Sequence, residues 1–224
     1  MRFLCSLLLI LVLALPARAQ FGFTGQYLTG DAPGWTARVG SGEPFLELPG
    51  DGWQAGVDYW FRLKNARIEF LPTLAYSRQA VPSAIFDENT DELIAQAGHF
   101  FFNVNIYPLD LRGDCDCPTW SKEGPTLEKG LFLQLSPGIS YFNLTNAEGG
   151  GDGNLAANIG LGLGFDFGLS ELITITPILQ ARYYPRVIWP AFEKGLPILF
   201  GELEAESELW QYTAGLRVGI RLDQ

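Results

Sequence analysis

The sequence predicts an all-β fold, an eight-stranded antiparallel up-and-down transmembrane β-barrel. Three observations predict it. Eight segments alternate apolar and polar residues with a period of two, the connections between them alternate between short and long, and an export signal precedes the first segment. Alternating segments of about ten residues joined by turns of unequal length are typical of barrels that span an outer membrane.

The composition excludes several other classes of protein. The chain has 224 residues with 26 Gly, 14 Pro and 13% aromatic residues, which favours strands and turns over a helical bundle or a disordered chain. Its formal net charge is -10, which would repel nucleic-acid phosphates. We therefore expect no nucleic-acid partner.

Residues 1–19 predict a cleaved signal peptide. Met1-Arg2 gives a positive start, an apolar run follows to Pro16, and Ala17-Arg18-Ala19 supplies the small residues of a cleavage site. An uncleaved anchor helix is the alternative, although the run is short for a membrane span. Cleavage before Gln20 would leave residues 20–224 as a barrel domain with 13 Lys+Arg against 25 Asp+Glu.

Eight segments show the alternation expected of strands. From Trp53 to Leu63, for example, the odd positions are apolar and the even positions include Gln54 and Asp58. The predicted strands are 21–29, 53–63, 66–77, 99–106, 131–141, 157–167, 173–183 and 210–222. No other stretch of about 18 apolar residues follows the signal, so a membrane-spanning form would have to be a barrel.

The two faces of these strands differ in chemistry. One face carries large aliphatic and aromatic residues, and the other carries Gly, Thr, Asn, Gln and nearly all of the strand charges. A membrane barrel turns the apolar face outward. A soluble periplasmic, lipocalin-like binder would turn it inward around a ligand. The scarcity of Lys and the abundance of Gly on the polar face favour the membrane barrel.

The connections support the same orientation. Lys64-Asn65 and residues 168–171 are short, whereas 30–51, 80–92, 144–154 and 187–208 are long. Short turns on the periplasmic side and long external loops are the expected asymmetry, and an even number of strands places both termini on the periplasmic side. Residues 109–129 are an exception, because they form a long connection on the short-turn side.

These features together resemble a known family. The alternating strands in residues 56–77 and 100–142, with the export signal and the turn asymmetry, are similar to small outer-membrane barrels of the OmpA transmembrane-domain and OmpX kind, and to outer-membrane barrel proteins of the Bacteroidota. The resemblance implies the outer membrane of a Gram-negative bacterium, contact with outer-membrane lipid and lipopolysaccharide, insertion by the barrel assembly machinery and a monomeric state.

The polar face carries a candidate site made of charged residues. In a narrow lumen these charges would be desolvated, so we expect them to pair and to fill the interior. The sharper alternative is a narrow ion path or a gated switch of salt bridges. The predicted lumen charge network comprises Asp58, Arg62, Arg67, Glu69, Asp166, Arg182, Arg217 and Arg221.

His99 and the two mature cysteines are the other residues capable of chemistry. His99 is the only histidine, and we expect a hydrogen-bonded lumen histidine rather than a general base. Cys115 and Cys117 are one residue apart, in an exported and therefore oxidising setting. A local disulfide, free or partner-directed thiols and a metal site all remain open for them, and two thiolates alone are an incomplete zinc set.

The expected function is a non-enzymatic barrel with a side-chain-filled polar lumen, whose loops serve envelope integrity, adhesion or surface interaction. The alternatives are a narrow porin-like or small-ligand transport barrel and the soluble lipocalin-like binder. We expect no cofactor and no catalytic residue set. Loop 187–208 joins an apolar part to an acidic run, and it either folds over the barrel mouth or binds a surface protein partner.

Overall fold

A computed structural model describes ten parts of the chain, namely residues 20–35, 37–38, 45–46, 48–63, 66–81, 93–111, 130–145, 153–170, 172–189 and 206–221. Residues 1–19 lie outside these parts, so the signal peptide stays a prediction. Eight long strands make up most of the described chain. They are β1 Gln20–Asp31, β2 Pro49–Tyr59, β3 Ile68–Val81, β4 Leu93–Ile106, β5 Leu131–Thr145, β6 Gly153–Phe165, β7 Ile173–Ile188 and β8 Glu206–Arg221.

Several short elements accompany the eight strands. Phe61–Arg62 continues β2 beyond Trp60, and Phe167–Gly168 continues β6 beyond Asp166. A 3-10 turn at Pro33–Trp35 follows β1. Ala37–Arg38 pairs with Phe45–Leu46 in a separate two-stranded sheet. No helix in the described part of the chain is long and apolar enough to cross a membrane.

The eight strands form a closed antiparallel barrel. Each strand pairs with the next one along the chain, and β8 pairs with β1 over twelve register positions, from Gln20 opposite Arg221 to Asp31 opposite Trp210. The up-and-down topology predicted from the sequence is confirmed. Closure leaves no open sheet edge, so the backbone groups of every strand have a neighbour on both sides.

The strands extend beyond their predicted bounds at the end where the long connections lie. For example, β4 begins at Leu93 rather than at residue 99, and β7 continues to Ile188. We call this the upper end of the barrel, and the end at Gln20 and Ile106 the lower end. Along β7 the register with β8 shifts by one residue between Tyr184 and Val187, which is a β-bulge.

The apolar face points outward. Leu74, Leu161 and Leu216 are more than half exposed, whereas their sequence neighbours Thr73 and Gly160 face the interior as buried residues. Between the outward aromatic residues near the two ends, the described outward side chains include no Asp, Glu, Lys or Arg. From Trp210 to Ile220, a rise of about 3.3 Å per residue and a tilt of about 40° give an apolar band roughly 25 Å tall.

Two bands of outward aromatic side chains border this surface. The upper girdle consists of Tyr27, Trp53, Tyr76, Tyr141, Tyr183, Trp210 and Tyr212. The lower girdle consists of Phe21, Tyr59, Phe61, Phe70, Phe102, Phe165 and Phe167. Neighbouring rings in the girdles touch, as in the pair Tyr183 and Trp210, whose centroids are 4.7 Å apart, and the pair Phe61 and Phe70 at 5.3 Å.

Inward glycines set how closely adjacent strands can pack. A Cβ added to Gly215 on β8 would overlap the backbone carbonyl oxygen of Gly25 and lie 2.6 Å from the Cα of Gln26. Gly25 itself faces outward, and a Cβ there would meet nothing within 4 Å. The close approach of β1 and β8 therefore requires glycine at position 215 but not at position 25.

Gly215→Ala is expected to lower the free energy of unfolding by about 1–3 kcal/mol, because the methyl group forces β1 and β8 apart. The matched control Gly25→Ala should change it by less than about 0.5 kcal/mol. Urea titration of the refolded barrel in detergent micelles, followed by the gel shift between folded and boiled protein, measures both. Equal costs for the two variants would contradict the packing described here.

Candidate functional site in the barrel lumen

An ion pair spans the lower third of the lumen. Arg217 on β8 donates from Nε to Asp58 Oδ2 at 2.8 Å and from Nη2 to Asp58 Oδ1 at 2.6 Å. The Asp58 side chain is 2% exposed and that of Arg217 is 15% exposed, so the pair is largely desolvated. Such a bidentate contact fixes both groups in orientation as well as in distance.

Gly22 on β1 makes this ion pair possible. β1 lies between β2 and β8, and Gly22 is the register partner of both Asp58 and Gly219. A Cβ at Gly22 would overlap the Asp58 carboxylate and would lie 2.5 Å from Nε of Arg217. The missing side chain therefore leaves the space across which the two charged groups meet.

A second cluster of polar side chains surrounds Tyr107. This residue directly follows β4 and is fully buried. The Tyr107 hydroxyl lies 2.9 Å from Oε2 of Glu69 and 2.5 Å from Oδ2 of Asp166. Thr176 donates to the other oxygen of Asp166 at 2.5 Å. The two predicted carboxyl groups are thus joined through a tyrosine that the sequence prediction did not include.

Arg67 holds the segment that follows Tyr107. It forms an ion pair with Asp110, with 2.5 Å between Nη1 and Oδ2, and its guanidinium lies 4.1 Å from the centre of the Tyr107 ring. Its backbone N–H donates to the carbonyl oxygen of Leu111 at 3.1 Å. Asp110 was not predicted as a partner, because it lies in the connection 109–129 rather than in a strand.

Arg182 has neutral partners instead of a carboxylate. It donates from Nη1 to Asn158 Oδ1 at 2.6 Å and from Nη2 to Ser136 Oγ at 2.8 Å, and its guanidinium stacks 3.5 Å from the centre of the Phe101 ring. Among the described residues no carboxylate lies within ion-pair distance of it. Our expectation that each lumen charge finds an opposite charge does not describe Arg182, which a ring face and neutral oxygens solvate.

The structure describes less of the surroundings of the remaining predicted residues. Arg62 lies at the lower end, half-buried, and its register partner on β3 is Glu69. Arg221 is the last residue of β8 and pairs in register with Gln20, but its side chain is outside the described part. Cys115 and Cys117 also lie outside the described residues, so the disulfide, thiol and metal interpretations all stay predictions.

His99 is hydrogen-bonded between two serines in the middle of the lumen. Its Nε2 lies 2.9 Å from Ser77 Oγ and its Nδ1 lies 2.7 Å from Ser140 Oγ. Ser140 also accepts a hydrogen bond from Asn158 at 3.0 Å. All four side chains are buried, which leaves no room for a substrate beside the imidazole.

Neutral amides fill much of the remaining interior. Gln54 donates to Gln26 at 2.8 Å and Gln134 donates to Asn105 at 2.7 Å. Near the upper end, Gln211 donates to Gln79 at 2.9 Å. Amide pairs satisfy buried donors and acceptors without a net charge. Gln54, Asn105, Gln134 and Gln211 lie on the polar face that the sequence predicts, whereas Gln79 lies beyond the predicted strand 66–77.

The upper end of the lumen is filled by apolar side chains, which we call the upper plug. Trp35 from the turn after β1 and Trp189 after β7 meet edge to face, with ring centroids 5.3 Å apart. The upper plug comprises Ala32, Trp35, Leu48, Ala95, Ala97, Phe142, Leu144, Ala156, Tyr184, Val187, Trp189 and Leu209. Trp189 belongs to the predicted loop 187–208, and residues 190–205 of that loop lie outside the described parts.

Little empty space remains between the plug and the lower end. One cavity of about 30 Å³ is lined by polar residues including Gln26, Gln54 and Asn103, with Phe101 and Arg217 among its other walls. A second cavity of about 20 Å³ lies at the lower end beside Glu69 and Asp166. An interior only wide enough for side chains is typical of eight-stranded barrels.

The described residues contain no group of three or more His, Cys, Asp or Glu side chains placed to hold a metal ion. The charged residues of the lumen instead contact one another, the Tyr107 hydroxyl or neutral side chains. The arrangement can therefore hold charge and protons in fixed positions, and it is a packed interior rather than an open pore.

Comparison with solved structures finds bacterial outer-membrane proteins. Neisserial surface protein A is 10% identical, with a TM-score of 0.43, over 90% of this chain and 96% of that one. OprG from Pseudomonas aeruginosa is 10% identical, with a TM-score of 0.40, over 91% and 97% of the two chains. The attachment invasion locus protein Ail of Yersinia pestis is 12% identical, with a TM-score of 0.35, over 89% and 99%.

No family model and no curated protein sequence matches the chain. At these identities and TM-scores the likeness is distant. The assignment of a closed barrel depends instead on the strand pairing of this chain, which is complete around the sheet.

Asp58→Ala is expected to lower the free energy of unfolding by about 3–5 kcal/mol, since it leaves the Arg217 guanidinium buried without its partner. The control is the exposed pair Arg186 and Glu206, 2.7 Å apart, where Glu206→Ala should cost less than about 1 kcal/mol. Replacing both members of the buried pair, as in Asp58→Asn with Arg217→Met, should recover much of the loss. Equal instability of the single and double variants in urea titrations would contradict the claim that the unpartnered Arg217 guanidinium causes the loss.

Proposed function

We propose that this protein is a non-enzymatic, monomeric β-barrel of a Gram-negative outer membrane, closed to solute flow, whose upper loops serve envelope integrity, adhesion or surface interaction. The observation that carries the proposal is the outward apolar band between two aromatic girdles, which matches the thickness of the hydrocarbon layer that outer-membrane barrels cross. Tyrosine and tryptophan side chains are favoured at the boundary between lipid and water.

The outward face supports a membrane barrel over the lipocalin-like alternative. A soluble barrel of that kind needs its apolar face inside, around the ligand. Here the interior carries amides, hydroxyls and charges, and outward residues such as Leu155 and Leu161 are exposed. An exposed apolar surface that encircles the molecule far exceeds what a soluble monomer tolerates.

The filled lumen supports a closed barrel over a porin-like one. Trp35 and Trp189 occupy the upper end, Phe101 and Arg182 stack across the middle, and Tyr107 occupies the lower end. Each layer lies across the path that an ion would take. One residual cavity lies between these layers and the other lies at the lower end, and both are too small to form a pore.

The upper margin offers a surface for lipid headgroups and protein partners. Above the upper girdle, outward side chains become charged, with Asp51 on β2, Arg186 on β7, and Glu206 and Glu208 on β8. Lipopolysaccharide carries phosphates, and acidic side chains bind phosphates through divalent cations. We propose this margin as the contact with outer-membrane lipid and lipopolysaccharide, and loop 187–208 as the contact with a surface protein partner.

The buried environment of His99 supports a role without catalysis. A general base must reach the proton that it removes from a substrate. His99 is enclosed by Ser77, Ser140 and the ring of Phe101, whose centroid is 5.0 Å from the imidazole. Insertion by the barrel assembly machinery remains part of the proposal, in keeping with the family resemblance of the sequence.

Membrane insertion is tested by placing a charge on the outward face. Leu216 lies in the middle of the apolar band and is 53% exposed, so Leu216→Arg should cost about 2–4 kcal/mol in lipid. Thr29 lies at the level of Tyr212 in the upper girdle, and the control Thr29→Arg should cost only about 0–1 kcal/mol. Unfolding in lipid vesicles measures both.

Fractionation of expressing cells completes this test. The unsubstituted protein should appear in the outer-membrane fraction and run on gels as a band whose mobility changes on boiling. A soluble periplasmic band, or equal costs for the two arginine variants, would refute the membrane proposal.

Closure of the lumen is tested in planar bilayers. The unsubstituted protein should give no steady large conductance, and Arg217→Ala should remain closed as well, because the upper plug and the Phe101 layer do not involve Arg217. A variant that removes both plug rings, Trp35→Ala with Trp189→Ala, serves as a comparison for any leak at the upper end. Steady large conductance in the unsubstituted protein would favour the porin-like function instead.

A further inference from the structure

A groove crosses the outward face of the barrel where β6, β7, β8 and β1 lie side by side. Its volume is about 560 Å³, whereas the two lumen cavities have volumes of about 20 and 30 Å³. Ala181 on β7 and Ala214 on β8 lie in adjacent rows of the register, because Ala181 pairs with Tyr212 and Leu179 pairs with Ala214. Methyl groups in place of larger side chains at these two positions leave the groove open.

Part of the floor is the backbone of the sheet. Gly162, Gln180 and Thr213 line the groove although they belong to the inward face. The Gln180 side chain donates to Gln134 inside the lumen, and Thr213 is buried. A ligand in the groove therefore meets the backbone of these residues, so the groove is as deep as the layer of outward side chains.

Projecting side chains form the walls of the groove. On the side of β6 and β7, Leu161 and Leu179 are 65% and 59% exposed. On the side of β8 and β1, Tyr212 and Tyr27 are 47% and 55% exposed. A flexible chain of methylene groups reaches the floor between such walls, whereas the convex surface of a second barrel meets the tips of the walls first. The shape favours a lipid acyl chain over another copy of the protein.

The polarity of the lining changes along the groove. Leu161 and Leu179 lie within the apolar band, and Tyr27 and Tyr212 belong to the upper girdle. Thr29 pairs in register with Tyr212 and also lines the groove. Hydroxyl-bearing side chains thus gather at the end that meets the boundary between lipid and water. This order, apolar below and hydroxylated above, matches an acyl chain whose polar head points toward the upper end.

Charged side chains continue this order above the groove on β7 and β8. Tyr183 donates to Glu208 at 2.8 Å, and Arg186 lies 2.7 Å from Glu206 in an exposed ion pair. The Arg186 side chain is 65% exposed, so its guanidinium can contact a phosphate from the solvent side. The carboxylates bind phosphates through divalent cations, which take oxygen ligands. The charges above the groove therefore suit a phosphate-bearing lipid headgroup.

We propose that the groove binds one acyl chain of lipopolysaccharide, with the chain along Ala181 and Ala214 and the headgroup phosphates at the level of Arg186. The proposal rests on the membrane function proposed above, and it assigns one lipid molecule to a defined position on the barrel. Tyr27, Thr29 and Tyr212 lie where the acyl chain joins the polar headgroup. The remaining outward surface contacts lipid without holding a particular molecule.

Native mass spectrometry of the refolded mature protein tests the groove. The probe is purified lipopolysaccharide with a short sugar chain, added with Mg²⁺ to the protein in detergent micelles. The unsubstituted barrel should retain one lipopolysaccharide molecule. Ala181→Leu with Ala214→Leu fills the groove and should lower the retained fraction by roughly tenfold, because losing on the order of ten dispersion contacts costs that factor.

The matched control is Ala157→Leu. Ala157 is an exposed outward residue of β6 that does not line the groove, so this variant should retain lipopolysaccharide as the unsubstituted protein does. Equal retention by the groove-filled and unsubstituted barrels, or an equal loss in the control, overturns the proposal. If the double variant does not fold, Ala214→Leu alone carries the same comparison.

Two further results would assign the groove to another occupant and overturn the proposal. One is retention of phosphatidylethanolamine in preference to lipopolysaccharide from mixed micelles. The other is a dimer that the two leucine substitutions abolish. The gel shift on boiling and the outer-membrane fraction are recorded for every variant. A folded and inserted barrel that retains no lipopolysaccharide refutes the groove alone, whereas a soluble unsubstituted protein refutes the membrane function as well.

Discussion

Closure of the eight-stranded sheet is the constraint on which the rest of this structure depends. Pairing β8 with β1 gives all strands two neighbours, which is how a sheet can enter lipid without leaving backbone groups unsatisfied. The strand period of two then sends alternate side chains into a space only a few side chains wide. Every inward residue must therefore find its hydrogen-bond partners among other inward residues.

The interior meets this requirement in three different ways along the barrel axis. The upper end uses apolar rings, which need few partners. The middle uses amides and hydroxyls around His99 and Arg182, so a single cation is surrounded by neutral oxygens and the face of Phe101. The lower end uses paired charges, where each ionised group lies next to an opposite charge or a hydroxyl. Burial of a charge is costly unless such partners are in place.

The sequence predicts which face of the sheet a residue occupies better than it predicts which residue its side chain pairs with. The period of two is a local property, and Asp58, Glu69 and Arg182, which it assigns to the polar face, are buried. The pairing of Asp58 with Arg217 joins residues 159 positions apart, and it depends on a glycine in the strand between them. No local pattern contains that information.

Connecting segments were the larger gap in the prediction. Trp35, Tyr107 and Trp189 lie just beyond strands, where the alternation has ended, yet all three are fully buried in the lumen. Asp110 was missed for the same reason. The available signal was composition, since a large aromatic residue immediately after a barrel strand must lie either at the membrane boundary or inside the barrel. The sequence alone does not choose between these positions.

The two ends of the lumen differ in what can disturb them. The contacts of the upper plug are those of tryptophan, phenylalanine and tyrosine rings and aliphatic groups, and none of its members is an Asp, Glu, Lys, Arg or His residue. At the lower end, the side chains of Tyr107 and Arg67 contact the carboxyl groups of Glu69, Asp166 and Asp110, so the strength of these contacts depends on charge. A change of pH or salt on the lower side therefore acts on a different set of interactions from those that close the upper side. This asymmetry makes the lower end of the lumen the end whose contacts respond more strongly to charge.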